Sequence, residues 1–569
     1  MKIQVINEQL SVSGQISTEE VKQLADEGVE LLVCNRPEGE AADQTPFAEI
    51  AAAAKGAGIE AVQIAFKSGE MKPGQVAEFA DLLGTKKKIH AYCRTGNRSF
   101  NLYSAAFAAS GGPKEEILAK AEQVGINVND TINPYYSGDQ NSMAAEAKIS
   151  QFQSGATPSY DVVIVGAGSG GISAASSLLK RVSGIRIALI DPAEEHFYQP
   201  GWTMVGGGVF DVTSTRRRME DLIPARTTWI KQAVKGFHPA ENEVELEDGS
   251  HIGYEQLIVA PGLKLNLDAV KGFRESLGKN GVTTNYLYQY APYTFELVKG
   301  LKQGKALFTQ PPMPIKCAGA PQKALYLSCD YWRRNNVLNN IDVDFMNAGG
   351  VLFGVSDYVP ALQSYIDRYG ANVNYNCNLE AIDADAKTAQ FRVVAGEREG
   401  EEITKPFDMI HVCPPQCAPD FVSQSELAGP GGWLEVDQFS LQHVRFANVW
   451  GLGDVMNTPN AKTMAAVRKQ VPVVAQNIAD VLKGRTIHSG YDGYGSCPLT
   501  VENGKIVLAE FGYGGKILPT FPTWLLQGKN PTRSAWILKK DILPGIYWNA
   551  MLKGREWMAG PQDLDRLRS

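Results

Sequence analysis

The run DVVIVGAGSGGISAASSLLKRVSGIRIALID, residues 161–191, restricts what this chain can fold into more than any other stretch. Asp161-Val162-Val163-Ile164-Val165 is short and β-branched and reads as a buried strand. Gly166, Gly168 and Gly171 follow as G-x-G-x-x-G, residues 173–180 favour a helix, and residues 185–190 read as a second strand that ends at Asp191. In such a βαβ unit the first glycine makes the tight turn. The second lets backbone approach a pyrophosphate, and the third lets the helix close on the strand. The helix start offers free N–H groups and a positive dipole end to the phosphates. Asp191, twenty positions beyond Gly171, is placed to accept ribose hydroxyls. The unit specifies a dinucleotide and does not by itself separate FAD from NAD.

The chain has 569 residues, too many for one core, so roughly two to four domains are expected. A net charge of −7 argues against a general nucleic-acid binder. No run of about eighteen apolar residues exists to span a bilayer. The opening residues lack a basic stretch followed by an apolar one, so no secretory leader is expected. The eight cysteines are sparse and lack zinc spacing, which suits a reducing compartment and some reactive thiols.

Residues 1–133 alternate strands (28–34, 61–66) and helices (18–26, 74–83), as a small α/β domain does. Lys88-Ile89-His90-Ala91-Tyr92-Cys93-Arg94-Thr95-Gly96-Asn97-Arg98-Ser99 carries its chemistry: a strand running into Cys93, a glycine-bearing loop, then a helix over 100–109. Loop N–H groups, the helix dipole, Arg94 and Arg98 are expected to converge on Cys93 and favour its thiolate. This loop resembles those of Cys-based phosphatases and rhodaneses, and the domain is similar to the phosphatase-like domain of the beta-lactamase-hydrolase-like family. Phosphatases carry Cys-x5-Arg. Here four residues separate Cys93 from Arg98, the six-residue loop of rhodaneses, so sulfur transfer is favoured over phosphate ester hydrolysis. Cys34 reads as a core thiol.

Residues 134–159 are polar and rich in Gly, Ser and Gln, as a linker is, with a helical turn at 148–152. Beyond it, His196-Phe197-Tyr198-Gln199-Pro200-Gly201-Trp202-Thr203 and later pieces resemble the flavoprotein sulfide:quinone oxidoreductases, of the branch that includes the mitochondrial enzyme. The resemblance covers residues 160–561. It implies FAD at the fingerprint, with Gly166, Gly168, Ser169, Gly170, Gly171, Asp191, Gln199 and Val234 in contact. The strand 254–262 returns to that domain, as does 446–454, which ends in Gly451-Leu452-Gly453-Asp454. The resemblance brings Asp454 to the cofactor's ribityl chain and phosphates, and the helix beginning at Lys462-Thr463 to the isoalloxazine edge. A further strand over 342–348 leads into Gly349-Gly350-Val351-Leu352-Phe353-Gly354. That is no second fingerprint, so tight NAD(P)H binding is not expected.

Cys317 lies in KCAGAPQK, after a strand (305–309), before a helix from Gln322, with Lys316 and Lys323 near. That is a thiolate-stabilising place, and the resemblance makes it the cysteine that carries sulfane sulfur. The family's second cysteine follows the Gly-Asp pair, where this chain has Val455. Three arrangements stay open: Cys413 or Cys417 replaces it, those two form a redox disulfide of their own, or Cys317 acts alone and passes sulfur to Cys93. Cys329, Cys377 and Cys497 read as core thiols.

The 521–526 run FPTWLL and residues 534–557 are rich in Trp, Tyr, Leu and Ile with Lys539, Lys540, Lys553 and Arg555 interleaved. Pro544 is expected to break the second stretch into two helices that lie in the headgroup region, aromatics down and cations toward phosphate. The reading as a whole is an α/β chain. A Cys-loop phosphatase-like or rhodanese-like domain (1–133) and a linker (134–159) precede a glutathione-reductase-like flavoprotein with two dinucleotide-binding-type domains (160–519). An amphipathic membrane-binding segment (520–569) follows. The expected activity is FAD-dependent oxidation of sulfide to sulfane sulfur with electrons to quinone, and sulfur transfer by the first domain. A small-molecule thiol is the expected acceptor, and Cys317, Cys93, Arg98, Cys413 and Cys417 are the catalytic candidates. The alternative is a thiol- or persulfide-oxidising flavoprotein fused to a phosphatase. No metal and no nucleic acid are expected, a homo-oligomer is left open, and the expected place is the cytoplasmic face of a bacterial inner membrane.

Overall fold

The computed structural model describes residues 3–41, 44–67, 69–85, 87–109, 112–136, 157–522 and 526–569. Most of the expected linker, its 148–152 turn included, and half of the 521–526 run lie outside the described residues. The chain divides into two compact units, Met1–Ala156 and Thr157–Ser569.

In the first unit a five-stranded sheet has the order Gln4–Val5, Leu10–Ser13, Ile89–Tyr92, Leu31–Cys34, Glu60–Gln63. All neighbours are parallel except the first pair. Ile89–Tyr92 is the central strand, buried along its length. A parallel strand covered on both faces must be apolar throughout, and it delivers its next residue to the rim where loops gather. That residue is Cys93. The helix that follows spans Asn97–Ala109, three residues earlier than expected, which puts Arg98 and Ser99 inside its first turn.

The second unit holds two large sheets, one mixed and one wholly parallel. The larger sheet runs Thr227–Ile230, Ile187–Ile190, Ser159–Val165, His251–Val259, Glu243–Leu246, Val234–His238. Val449–Gly451 also pairs with His251–Val259. The glycine loop therefore leaves the middle of a sheet whose strands are almost wholly buried, with helix Ser169–Arg181 laid across it. The second sheet has the order Val282–Thr283, Met409–His411, Gly304–Gln310, Ile341–Asn347, Asn372–Tyr375, all parallel. After Ile341–Asn347 the turn closes on itself. The Asn347 side chain accepts from Gly349 N–H at 2.8 Å and donates to the Val351 carbonyl at 2.9 Å. The next α-helix starts only at Val359, so no helix N-terminus opens at this strand end as it does at Ser169.

The chain then forms a hairpin, Gly495–Glu502 against Lys505–Phe511. A helical run ends it, through Arg533–Ile537, a wide π turn at Leu538–Ile542, and Leu543–Asn549. Pro544 does not break this run, contrary to expectation. It occupies the first turn after the π turn, where its missing N–H has no intrahelical partner to lose. Nor do the aromatics and lysines all point outward. Trp536, Tyr547, Trp548 and Lys539 are buried, and Ile537, Ile542, Trp557 and Met558 are the large apolar side chains left exposed. Among the described residues no helix is long and apolar enough to cross a membrane.

Candidate active site

The glycine turn is shaped for a ligand and not merely tight. Gly166 has φ +99°, and a Cβ there would lie 2.5 Å from the Ala260 carbonyl oxygen. A Cβ on Gly171 would lie 1.8 Å from the Gly166 carbonyl oxygen. A Cβ on Gly168 would meet nothing within 4 Å: two glycines are demanded by the protein itself, and the middle one faces open space. Asp191 holds the loop, accepting from Ala167 N–H at 2.7 Å and from Ala193 N–H at 2.8 Å, and burial pushes its carboxyl up. Ser169 Oγ pairs with Tyr547 Oη at 2.8 Å, so the C-terminal run reaches the start of the glycine helix. Val234 is buried at the head of its strand.

A cavity of about 350 Å³ opens from this turn. Trp202, Thr203 and Asn285 line it. Their buried Trp202 Nε1, Thr203 Oγ1, Asn285 Oδ1 and Nδ2 have no hydrogen-bond partner among the described residues. A buried polar atom without a partner costs about 1–3 kcal/mol, and four in one cavity fit a polar ligand that satisfies them. At the far wall Asp454 is half-buried, and desolvation pushes its carboxyl up against the pull of Lys462 and Lys316. Lys462 donates to the Asp454 and Met456 carbonyls at 2.7 and 2.6 Å, and burial brings it down to about 8. Thr463 caps helix Met464–Val481 through Ala466 N–H, so a positive helix end faces the cavity as the sequence suggests.

Cys317 lies on this wall. Its N–H donates to the Lys462 carbonyl at 2.8 Å, which ties its loop to the start of that helix. Its φ is +55°, a region non-glycine residues seldom adopt. The loop turns into helix Ala320–Arg334, whose Lys323 Nζ lies 3.1 Å from Cys317 Sγ. Contact with the Cys497 thiol, then the ammonium groups of Lys323 and Lys539, draws Cys317 well below the usual thiol range although burial opposes this. The same contact, with burial, holds Cys497 well above it. Charge is thus favoured on Cys317 over Cys497. Lys316 donates to Gln199 Oε1 and sits 5.7 Å from the ring centres of Trp202 and Tyr286.

Of the other candidates, Cys413 lies near Cys317 and the rest fall elsewhere. Cys413 is buried with Tyr286, Ile315 and Ala320 at the edge of the Cys317 loop, and burial pushes its thiol up to about 12. Cys417 is on the two-residue strand Gln416–Cys417 paired with Lys264–Leu265, near Lys264 and Asp420. Val455 is fully buried. In the first unit Cys93 is buried and its sulfur accepts from Gly96 N–H at 3.2 Å. Arg98 does not turn to it as expected. Its guanidinium donates to Glu40 at 2.6 Å and to the Phe66 carbonyl at 2.9 Å, because starting the helix at Asn97 swings it to the loop carrying Glu40. Arg94 is exposed.

Residues 2–110 match the family model described as "Beta-lactamase hydrolase-like protein, phosphatase-like domain", and residues 160–308 match "Pyridine nucleotide-disulphide oxidoreductase". The mitochondrial sulfide:quinone oxidoreductase of Dictyostelium discoideum is 42% identical over 397 residues, 69% of this chain and 86% of that protein. The chain belongs to the sulfide:quinone oxidoreductases. The enzyme is thus a flavoprotein that oxidises sulfide and passes electrons to quinone. The Mus musculus mitochondrial enzyme is 37% identical over 408 residues, 72% of this chain and 89% of that one. The crystal structure of the Aquifex aeolicus sulfide:quinone oxidoreductase has the same fold at a TM-score of 0.59 and 16% identity, over 70% of this chain and 92% of that one. The Dictyostelium and mouse relatives carry the word mitochondrial in their names and give no support to the expected bacterial inner membrane. Cys497 and Lys539 escaped the sequence reading. Cys497 sits in an alternating strand and Lys539 in a mixed basic-aromatic run, and neither carries a local sign of the tertiary contact that places it.

Proposed function

We propose that the enzyme oxidises sulfide in the 350 Å³ cavity, with FAD as its flavin and Cys317 as the thiol that takes the sulfur. Gly166, Gly168, Ser169, Gly170, Gly171, Asp191, Gln199, Val234, Asp454 and Lys462 would hold the FAD, which supplies a two-electron oxidant when bound. The observation that carries the reading is a cysteine whose sulfur lies 3.1 Å from Lys323 Nζ, in the cavity that begins at the glycine turn. Lys323 keeps Cys317 charged and hence nucleophilic. The buried Lys462 and the capped helix start favour negative charge at the wall opposite the glycines. Sulfane sulfur leaves on a small thiol.

The first unit is read as its sulfur-handling partner through Cys93. Supporting this over phosphate ester hydrolysis, Arg98 is already neutralised by Glu40, which suits a small sulfur better than a dianion. The outer face of the C-terminal run, with Ile537, Ile542, Trp557 and Met558 exposed beside Lys540, is read as the surface laid on a membrane. Leu538, Leu543 and Ile546 line the cavity beneath it and offer quinone an apolar way in.

Anaerobic addition of sulfide to the purified enzyme in detergent tests the reading. Sulfide is expected to bleach the flavin absorbance, and a short-chain quinone to restore it. Flavin that stays oxidised in excess sulfide would overturn the reading.

A further inference from the structure

Sulfide chemistry on a thiol pair needs two sulfurs within reach of each other, and position 455 offers a buried valine. The strand Gly495–Glu502 brings Cys497 to the Cys317 loop instead. Cys497 is fully buried in the core cluster against which Cys317 packs. The approach is close because residue 319 is glycine: a Cβ there would lie 2.1 Å from Leu499 Cδ2 on the same strand. Lys323, from the helix, and Lys539, from the C-terminal run, face both sulfurs. Lys539 is buried, and its Nζ reaches the Pro200 carbonyl at 3.4 Å. Cys413 has Tyr286 as its side-chain partner, and Cys417 stands beside Lys264.

Resting on the reading of Cys317 above, we propose that Cys497 is the second redox thiol, and that sulfide opens a Cys317–Cys497 disulfide. Hydrosulfide attacks Cys317 Sγ. A bond forms between the incoming sulfur and Cys317, the bond to Cys497 breaks, and its electron pair leaves on Cys497 as thiolate. The proton stays on the terminal sulfur. The leaving thiolate lies beside the Lys323 ammonium, which stabilises charge at that sulfur, and near the buried Lys539. A thiolate acceptor RS⁻, a second hydrosulfide (R = H) where sulfide is the only thiol present, then takes the terminal sulfur as RSSH and frees Cys317 as thiolate. The two thiolates give up two electrons through the flavin to quinone, the established oxidant, and the disulfide re-forms. The sum is HS⁻ + RS⁻ → RSSH + two electrons, balanced in atoms and charge.

Peptide mapping of the holoenzyme tests this without a variant. Trypsin leaves Cys317 alone in peptide 317–323 and Cys497 alone in peptide 486–505. After quinone oxidation, alkylation and non-reducing digestion, the expected product is these two peptides joined. Sulfide followed by alkylation should separate them and leave 317–323 heavier by one sulfur. Peptide 317–323 joined to the peptide carrying Cys413 and Cys417, or alkylated alone after oxidation, overturns the proposal. Cys497→Ser and Cys497→Ala should both keep the flavin and lose sulfide bleaching about 100-fold. Wild-type bleaching rates in a flavin-loaded variant would also overturn it. Flavin that never bleaches in the wild type, with the joined peptide present, would sink the reading of function and leave the pair standing.

Discussion

Cys93 and Cys317 invite the same description in sequence: a strand, a cysteine with basic residues near it, a helix. In three dimensions they differ. Cys317 has Lys323 3.1 Å from its sulfur, Lys539 beyond, and a cavity in front. Cys93 has one N–H donor, from Gly96, and the arginine meant for it is paired with Glu40, 58 residues away. The difference teaches that a cysteine loop fixes where a thiol sits. Whether an unneutralised cation faces it depends on what distant segments bring.

The largest effect concerns what stands in front of each thiol. Gly171→Ala forces a Cβ into the Gly166 carbonyl, and the purified protein should carry less than about a tenth of the flavin per chain, by absorbance, with Cys93 alkylation unaltered. Full flavin loading would break the claim that the glycine turn is the cradle. Next, Lys323→Met removes the ammonium that lowers the Cys317 thiol. With that charge gone the thiol's pKa rises, so alkylation by iodoacetamide should slow about tenfold at neutral pH, and its pH profile should shift upward. A profile that stays in place would put Lys323 outside the account. Glu40→Gln should release Arg98, so that titration calorimetry shows thiosulfate or phosphate binding to the first unit about 3- to 10-fold more tightly. Unchanged affinity would mean that Arg98 is not what limits the loop. Cys417→Ser, remote from Cys317, should leave steady-state sulfide oxidation within about twofold.

Much of this was legible in sequence where the deciding residues are neighbours in the chain. The G-x-G-x-x-G unit forms as read because its clashes and its opening arise within a few residues. The first helix, Thr18–Asp26, has the expected bounds because Ser17 and Glu20 cap it locally. KCAGAPQK placed Cys317, Lys316 and Lys323 together because the first turn of helix Ala320–Arg334 returns Lys323 to the thiol. Cys497, 180 positions from Cys317, was invisible because an alternating strand looks the same whether its cysteine meets a core or a nucleophile. The C-terminal aromatics misled for a related reason. An amphipathic run suits a lipid face and a protein face equally, and only the contacts of Tyr547 with Ser169 and His196 show that much of it is turned inward. Arg98 was misjudged by three residues of helix start.

The contrast between the two thiols is tested most directly by stopped-flow reduction of the bound flavin with sulfide under anaerobic conditions, in Cys317→Ser and Cys93→Ser side by side. The account predicts that Cys317→Ser is not bleached on the time scale of wild-type turnover, a loss of about 10³-fold or more, while Cys93→Ser bleaches at the wild-type rate. Wild-type bleaching in Cys317→Ser, or its loss in Cys93→Ser with flavin content unchanged, would contradict it.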